Sequence, residues 1–172
     1  ISNGVWEISP LTTDLRQLYR GHVEDNEIDH IGHMNVRFYA ERAEYGSQQL
    51  LNALELRHFT PKGVDAFVID TYTRHLREQL HGNPLRLDGG VISASADSLN
   101  FYHQLTNANT GELAATFIHR LKLMDLDSMQ QQAYPDKFVA MAKDNMVDVP
   151  LHGRPRSIDM DFDPGHVSMQ EL

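Results

Sequence analysis

This 172-residue chain predicts an α+β fold: one long helix followed by a run of antiparallel strands. Three observations predict it. From Val36 to Leu54, apolar and small residues recur at alternating steps of four and three, which makes one stripe of a helix. After Pro61-Lys62-Gly63 the pattern changes to period two and holds to about Met124. The links between the period-two stretches are shorter than the dozen-residue crossovers that parallel strands need, so neighbours should pair antiparallel.

Element by element, Ile1–Leu18 contains Ser9-Pro10 and reads as an irregular lead-in or a short helix. Leu18–Glu24 alternates as a strand, though both faces are of mixed polarity. The run from Asp25 to Asn35 is dense in turn formers and ionisable groups, and is read as a loop. The helix follows, with Asn35 as its N-cap and an end at Asn52 or within Arg57–Pro61. Its predicted buried stripe is Val36, Ala40, Ala43, Ser47, Leu50 and Leu54, with Gly46 on the edge. Small residues in the middle of that stripe let another layer approach the helix backbone closely.

Ala66–Leu76 is the next strand, with Thr71, Tyr72 and Thr73 as β-formers. Leu85–Leu99 reads as one long strand, bent or bulged near Gly89-Gly90. Asn100–Thr106 and Leu113–Met124 flank Asn107-Ala108-Asn109-Thr110-Gly111-Glu112, a hairpin signal. Pro135–Met146 is a terminal helix, and Val147–Leu172 a tail on the surface or on a partner. Residues 1–130 form the domain proper, with a core at about 18–125, and residues 131–172 add a helix and tail to it. An open curved sheet leaves two edges, and pairing across a symmetry axis would cover one, so a homodimer or a dimer of dimers is expected.

Composition narrows the function. Fifteen basic against 24 acidic residues give a net charge of −9, a field that repels nucleic acid and anionic lipid, so neither is an expected partner. No apolar run approaches a membrane span. With no cysteine the chain has no disulfide, thiolate nucleophile or sulfur-based metal site, which suits a cytoplasmic setting.

Chemistry concentrates between Glu27 and Tyr39, where an acidic loop feeds a helix N-terminus. The first helical turn presents unpaired N–H groups and about half a positive charge. A carbonyl placed there is polarised, and a tetrahedral oxyanion is stabilised more still. A carboxylate six or seven residues upstream can sit beside the same point, so Asp29 would act as a general base on water or attack the carbonyl itself. These parts suit hydrolysis of an activated acyl group such as a thioester. The competing reading is a loop of solvated acids with an ordinary helix cap.

The run Asp29-His30-Ile31-Gly32-His33-Met34-Asn35, with Tyr39 four residues on, resembles the Asp-x-x-Gly-His-Met-Asn signature of hotdog-fold acyl-CoA thioesterases related to 4-hydroxybenzoyl-CoA thioesterase. Gly82-Asn83-Pro84-Leu85 and the Asn107 to Leu113 hairpin echo it, and the resemblance spans about Leu18–Asp125. It implies a helix wrapped by a curved antiparallel sheet. It also implies Asp29 as the catalytic carboxylate, the amides near Asn35 and Val36 as the carbonyl-polarising groups, and Gly32 as the tight turn joining them. His33 and Asn35 match signature positions of open role: Asn35 caps the helix or holds the water, and His33 packs or assists. Gly32, Met34, Tyr39 and Tyr72 are the expected substrate-binding residues. Coenzyme A would enter as part of an acyl-CoA substrate, with no separate cofactor and no metal.

Several other residues compete for roles. Glu41 and Glu44 lie on the helix, where a different hotdog branch carries its glutamate. His30 and His33, beside Glu27 and Asp29, resemble a metal site superficially but lack a third clear ligand. His103 and His119 fall on the apolar side of their strands and read as satisfied core histidines. Arg37, Arg42, Arg57, His58, Lys62, Arg74, His75 and Arg77 are candidates for the pocket rim or the coenzyme phosphates, and equally for a solvated face. Two further functions share the fold: an enoyl or 3-hydroxyacyl thioester hydratase-dehydratase, and a non-catalytic acyl-CoA-binding module. The hydratases typically carry an Asp-x-Asn-Pro-x-His loop; here Asp29 and His33 are one residue closer together, and the loop itself holds no Asn-Pro dipeptide.

Overall fold

The computed structural model describes residues 14–150. In chain order the elements are β1 (Arg16–His22), α1 (Val36–Ala53), α2 (Leu56–Phe59), β2 (Val64–His75), β3 (Pro84–Ala94), β4 (Leu99–Asn107), β5 (Leu113–Asp125), β6 (Gln131–Gln132) and α3 (Asp136–Asp144). The strands form one antiparallel sheet in the order β1-β3-β4-β5-β2, with β6 added to the end of β5. β1 and β2 are its edges. Helix α1 lies across one face, so the layout is the hotdog arrangement that the sequence predicts.

Asn35 starts α1 as expected: its Oδ1 accepts from the Arg37 N–H at 3.0 Å. The helix ends at Ala53, where Glu55 takes the left-handed conformation (φ 55°) before the single turn of α2. The buried stripe differs from the predicted one. Tyr39, Ala43, Gly46, Ser47, Leu50 and Leu51 face the sheet, whereas Val36 is 60% exposed and Ala40 is also exposed. The buried stripe enters at Tyr39, four residues before Ala43, so the spacing that runs back through Ala40 to Val36 misses the large residue that packs. A Cβ on Gly46 would lie 2.5 Å from Leu87 Cδ2, so β3 closes on the helix backbone as the small-residue stripe suggested.

The predicted single strand Leu85–Leu99 is in fact β3 and the start of β4. Ser95 makes the turn between them: its N–H donates to Ser98 O at 2.9 Å, and its Oγ accepts from the Asp97 and Ser98 amides. The alternation slips phase here, from Ile92, Ala94 and Ala96 to Leu99 and Phe101, a slip that a bulge within one strand would also give. The irregularity in β3 falls between Val91 and Ser93, just past Gly89-Gly90.

Odd-numbered residues of β4 and β5 (Phe101, Leu105, Phe117, Leu121) join the α1-side core, which also takes in Tyr134, Phe138 and Ala142 from the C-terminal part. The opposite sheet face is not left to water. Val147 and Val149 cover Ile92, Tyr102 and Ile118 there, and the Val147 N–H donates to Val91 O at 2.8 Å. The tail prediction is thus corrected at its start. The rest of it, and the lead-in up to residue 13, lie outside the described residues.

His103 and His119 are core histidines. They are 0% and 2% exposed, their rings meet edge to face at 5.3 Å, and His103 Nε2 and His119 Nδ1 each lie 2.8 Å from Ser47 Oγ. Ser47 can donate to only one ring and must accept from the other, which suits two neutral imidazoles. Burial drives His119 down to about 4 and His103 well below its ordinary value. The unfolded chain therefore binds protons that the folded one refuses, and stability falls as pH drops below about 6.5. Urea unfolding should show stability lower at pH 5.5 than at pH 7.5 by roughly 2 kcal/mol; equal stability at the two values would contradict the neutral pair.

Candidate functional site

The loop before α1 is built by its own backbone. A 3-10 turn at Asp25–Glu27 leads to Ile28, which bridges Met34. Inside that bridge the Asp29 N–H donates to His33 O at 2.9 Å and the Gly32 N–H to Asp29 O at 3.0 Å. Gly32 has φ +86°, which any side chain would strain, so the tight turn does need glycine there. The Asp29 carboxylate turns back on the loop: its Oδ1 accepts from the Ile31 N–H at 3.0 Å and, more weakly, the His33 N–H at 3.4 Å. Asp29 is thereby held by the same residues that carry the chain into the helix.

Asp29, Ile31, His33, Met34, Val36 and Tyr39 line one face of a cleft of ≈ 270 Å³, whose other wall is His75 at the end of β2 with Leu76, Arg77 and Glu78 after it. The Arg37 N–H is taken by Asn35 Oδ1 and the Phe38 N–H by Asn35 O. That leaves the Val36 N–H without a hydrogen-bond partner among the described residues, at the cleft that Asp29 also lines. Tyr39 is 3% exposed, donates its hydroxyl to Arg77 O at 3.3 Å and packs edge to face on His75 at 5.1 Å. Burial raises the Tyr39 phenol and lowers the His75 imidazole from their ordinary values, so both stay neutral near pH 7.

The structure brings together six of the eight predicted site residues: Asp29, His33, Met34, Val36 and Tyr39 line the cleft, and Asn35 caps the helix behind it. Gly32 shapes the turn without lining the cleft. Tyr72 stands apart. It packs against the cluster of Ile92, Tyr102 and Ile118 on the opposite sheet face, because its place in the β2 alternation points it there. Glu41 lines a separate groove with Tyr19, Phe38 and Tyr45, and neither Glu41 nor Glu44 borders the Asp29 cleft. Among the described residues no three His, Asp or Glu side chains gather as a metal site.

Sequence reasoning missed the ion pair that anchors the loop. Glu27 is 5% exposed, and both its oxygens bond Arg42: Oε2 takes Nη1, and Oε1 takes Nη2 at 2.7 Å. Glu27 Oε1 also accepts from the Glu24 N–H at 3.0 Å, and Glu27 O accepts from the Asn35 N–H at 2.8 Å. Arg42, a candidate for the phosphates, is thus spent on Glu27 and packs over the Tyr19 ring at 5.6 Å. The hydrogen bonds from Arg42 hold the Glu27 carboxyl below the usual carboxylate range. The only signal in the sequence is an acid in the turn and an arginine on the helix, too common a pair to single out.

Removing one partner leaves the other charge buried. Arg42→Met should therefore cost about 3 kcal/mol, and Glu27→Gln combined with Arg42→Met less than the sum of the two single changes. A double-mutant cycle in urea measures the coupling, and additive losses would contradict it.

With this geometry in view, comparisons place the chain. Residues 23–143 match the profile of the Thioesterase-like superfamily. Over 120 residues the chain is 27% identical to an L-carnitine dehydrogenase/betainyl-CoA thioesterase from Agrobacterium fabrum, a match covering 69% of this chain. The chain spans about a quarter of that relative's length, 25%. Among solved structures, a probable thioesterase from Escherichia coli superposes with TM-score 0.65 at 15% identity, covering 77% of this chain and all (100%) of that one. A 1,4-dihydroxy-2-naphthoyl-CoA thioesterase from Synechocystis gives TM-score 0.63 at 14% identity, with 73% and 94% covered. The structural matches speak for the hotdog fold, and the profile, over most of the chain, for the family: the chain belongs to the Thioesterase-like superfamily.

Proposed function

We propose that the chain hydrolyses an acyl-CoA thioester to the free acid and coenzyme A. The observation that carries this reading is that one cleft is lined by both Asp29 and Val36, the first residue of α1, whose amide has no partner among the described residues. The acyl carbonyl sits with its oxygen at the Val36 N–H, where the helix terminus favours the charge that grows as water adds. Asp29 takes a proton from that water, the tetrahedral intermediate collapses, and the C–S bond breaks. The thiolate is a good leaving group and needs little help from an acid. Attack by the carboxylate itself, through an anhydride, is the other route open to Asp29, and single-turnover labelling in H₂¹⁸O distinguishes the two.

At ≈ 270 Å³ the cleft is smaller than the ~300–1,000 Å³ common for ligand pockets, which favours a short acyl group. Its walls carry the acids Asp29 and Glu78 against the one cation Arg77, a net negative lining that favours a cationic group among these. The betainyl group in the Agrobacterium relative's name is such a group, and betainyl-CoA is the first ester to try. A cytoplasmic location belongs to the same proposal. So does a dimer paired along β2, an exposed twelve-residue edge carrying Phe67 and Ile69 at 38% and 52% exposure. A partner there would border the His75–Glu78 wall.

Asp29→Asn should lower kcat by at least ~10²-fold, as for loss of a general base, with KM nearly unchanged; an unaltered kcat would remove Asp29 from the chemistry. A panel of acetyl-, butyryl-, betainyl- and palmitoyl-CoA, read by thiol release, should favour the short esters. Faster release from palmitoyl-CoA would refute the size argument, and tight binding with no release would indicate a binding module instead. Ile69→Pro should shift the wild-type dimer to a monomer in sedimentation, and a monomeric wild type would dispose of the β2 pairing.

A further inference from the structure

The connection between β2 and β3, residues 76–83, has no regular structure and runs along the surface, with Glu78 exposed and Leu80 49% exposed. Gln79 between them is 2% exposed. A long polar side chain is buried in a surface connection at a cost unless its hydrogen bonds are met, and here they are. Its Nε2 donates to Glu78 O at 2.9 Å, while its Oε1 accepts from Asn83 Nδ2 at 3.3 Å and from Asn107 Nδ2 at 3.2 Å. Reversing the amide would set its NH₂ against two other NH₂ groups, so only this orientation satisfies all three bonds.

Each partner ties Gln79 to a different part of the molecule. Asn107 opens the β4–β5 turn, its Oδ1 accepting from the Asn109 and Thr110 amides at 2.9 and 3.2 Å. Asn83 belongs to the same connection, and its carbonyl accepts from the Val23 N–H at 3.0 Å, just past β1. The Gln79 carbonyl accepts from the Met34 N–H at 2.8 Å. Met34 lies between His33 and the helix-capping Asn35, on the cleft wall that carries Asp29. The opposite wall, Arg77 and Glu78, immediately precedes Gln79.

From this network we infer that Gln79 is a positioning residue that sets the width of the cleft. Its side chain fixes the connection of residues 76–83, a strap along the surface, against the β4–β5 turn, and its carbonyl fixes the Asp29 loop against that strap. The inference rests on the thioester-hydrolase reading of the cleft and adds a residue to it. Gln79 touches no substrate. It acts by holding Asp29 and the Val36 amide at one distance from the strap, and a displacement of about 1 Å at such a site is enough to cost ~10²-fold in rate.

The test compares Gln79→Met, which keeps length and loses all three side-chain bonds, with Ile92→Val, which weakens the core on the far sheet face. Both are assayed with a short acyl-CoA at a temperature where each is folded, and the Met34 amide is followed by hydrogen exchange. For Gln79→Met we expect kcat to fall about 10- to 100-fold, KM to stay within about threefold, and Met34 exchange to accelerate at least tenfold. Ile92→Val should change neither. If Gln79→Met fails to fold, Asn83→Ala, which removes one of the two donors to Oε1, should shift kcat and exchange in the same direction by less. A Gln79→Met enzyme with a lower melting temperature, wild-type kcat and wild-type exchange would overturn the inference. Should the wild type release no thiol, the hydrolase reading falls, and the exchange rate alone still decides for or against the clamp.

Discussion

The site depends on a loop that bonds its own carboxylate. Asp29 Oδ1 accepts from amides two and four residues further on, so the acid cannot swing away without unmaking the turn that begins α1. A carboxylate on a free loop would lose conformational entropy each time it met the substrate. Here that loss is taken during folding. Everything else near the cleft secures the loop's position: Glu27 and Arg42 on the β1 side, Gln79 on the strap side, and Asn35 at the helix cap.

The two anchors differ in kind. Glu27 and Arg42 are a buried ion pair with two parallel hydrogen bonds, sensitive to loss of either charge. Gln79 and its asparagines form a neutral network that is satisfied in one orientation only. Both act on backbone groups of the loop, through Glu27 O to Asn35 N–H and Gln79 O to Met34 N–H. The cleft surface is thus left to Asp29, His33, Val36 and the Tyr39–His75 pair, among other lining residues.

The long helix, its cap at Asn35 and the loop Asp29–Asn35 were legible in the sequence because each depends on local chemistry: a period, a side-chain acceptor, a glycine at positive φ. Antiparallel order followed from short links. What was hidden depends on register and distance along the chain. Val36 and Ala40 fit the stripe by spacing, yet Tyr39 is the residue buried in that turn. At the Ser95 turn the alternation only slips phase, and in sequence a slip reads equally as a bulge within one strand. Which face Tyr72 takes depends on the phase of β2, and the sequence around it carries no sign of that phase. Glu27 and Arg42 are fifteen residues apart, and Gln79 and Asn107 twenty-eight. No local pattern pairs them, and only the folded sheet brings them together.

The central claim is that one acyl carbonyl meets both the helix-start amide and the Asp29 carboxylate. The most direct measurement is the infrared carbonyl stretch of a ¹³C-labelled acyl-CoA bound to the slow Asp29→Asn variant. Polarisation by the Val36 N–H predicts a clear shift to lower frequency relative to the ester in water. A stretch unshifted, or shifted upward as in an apolar pocket, would contradict the account.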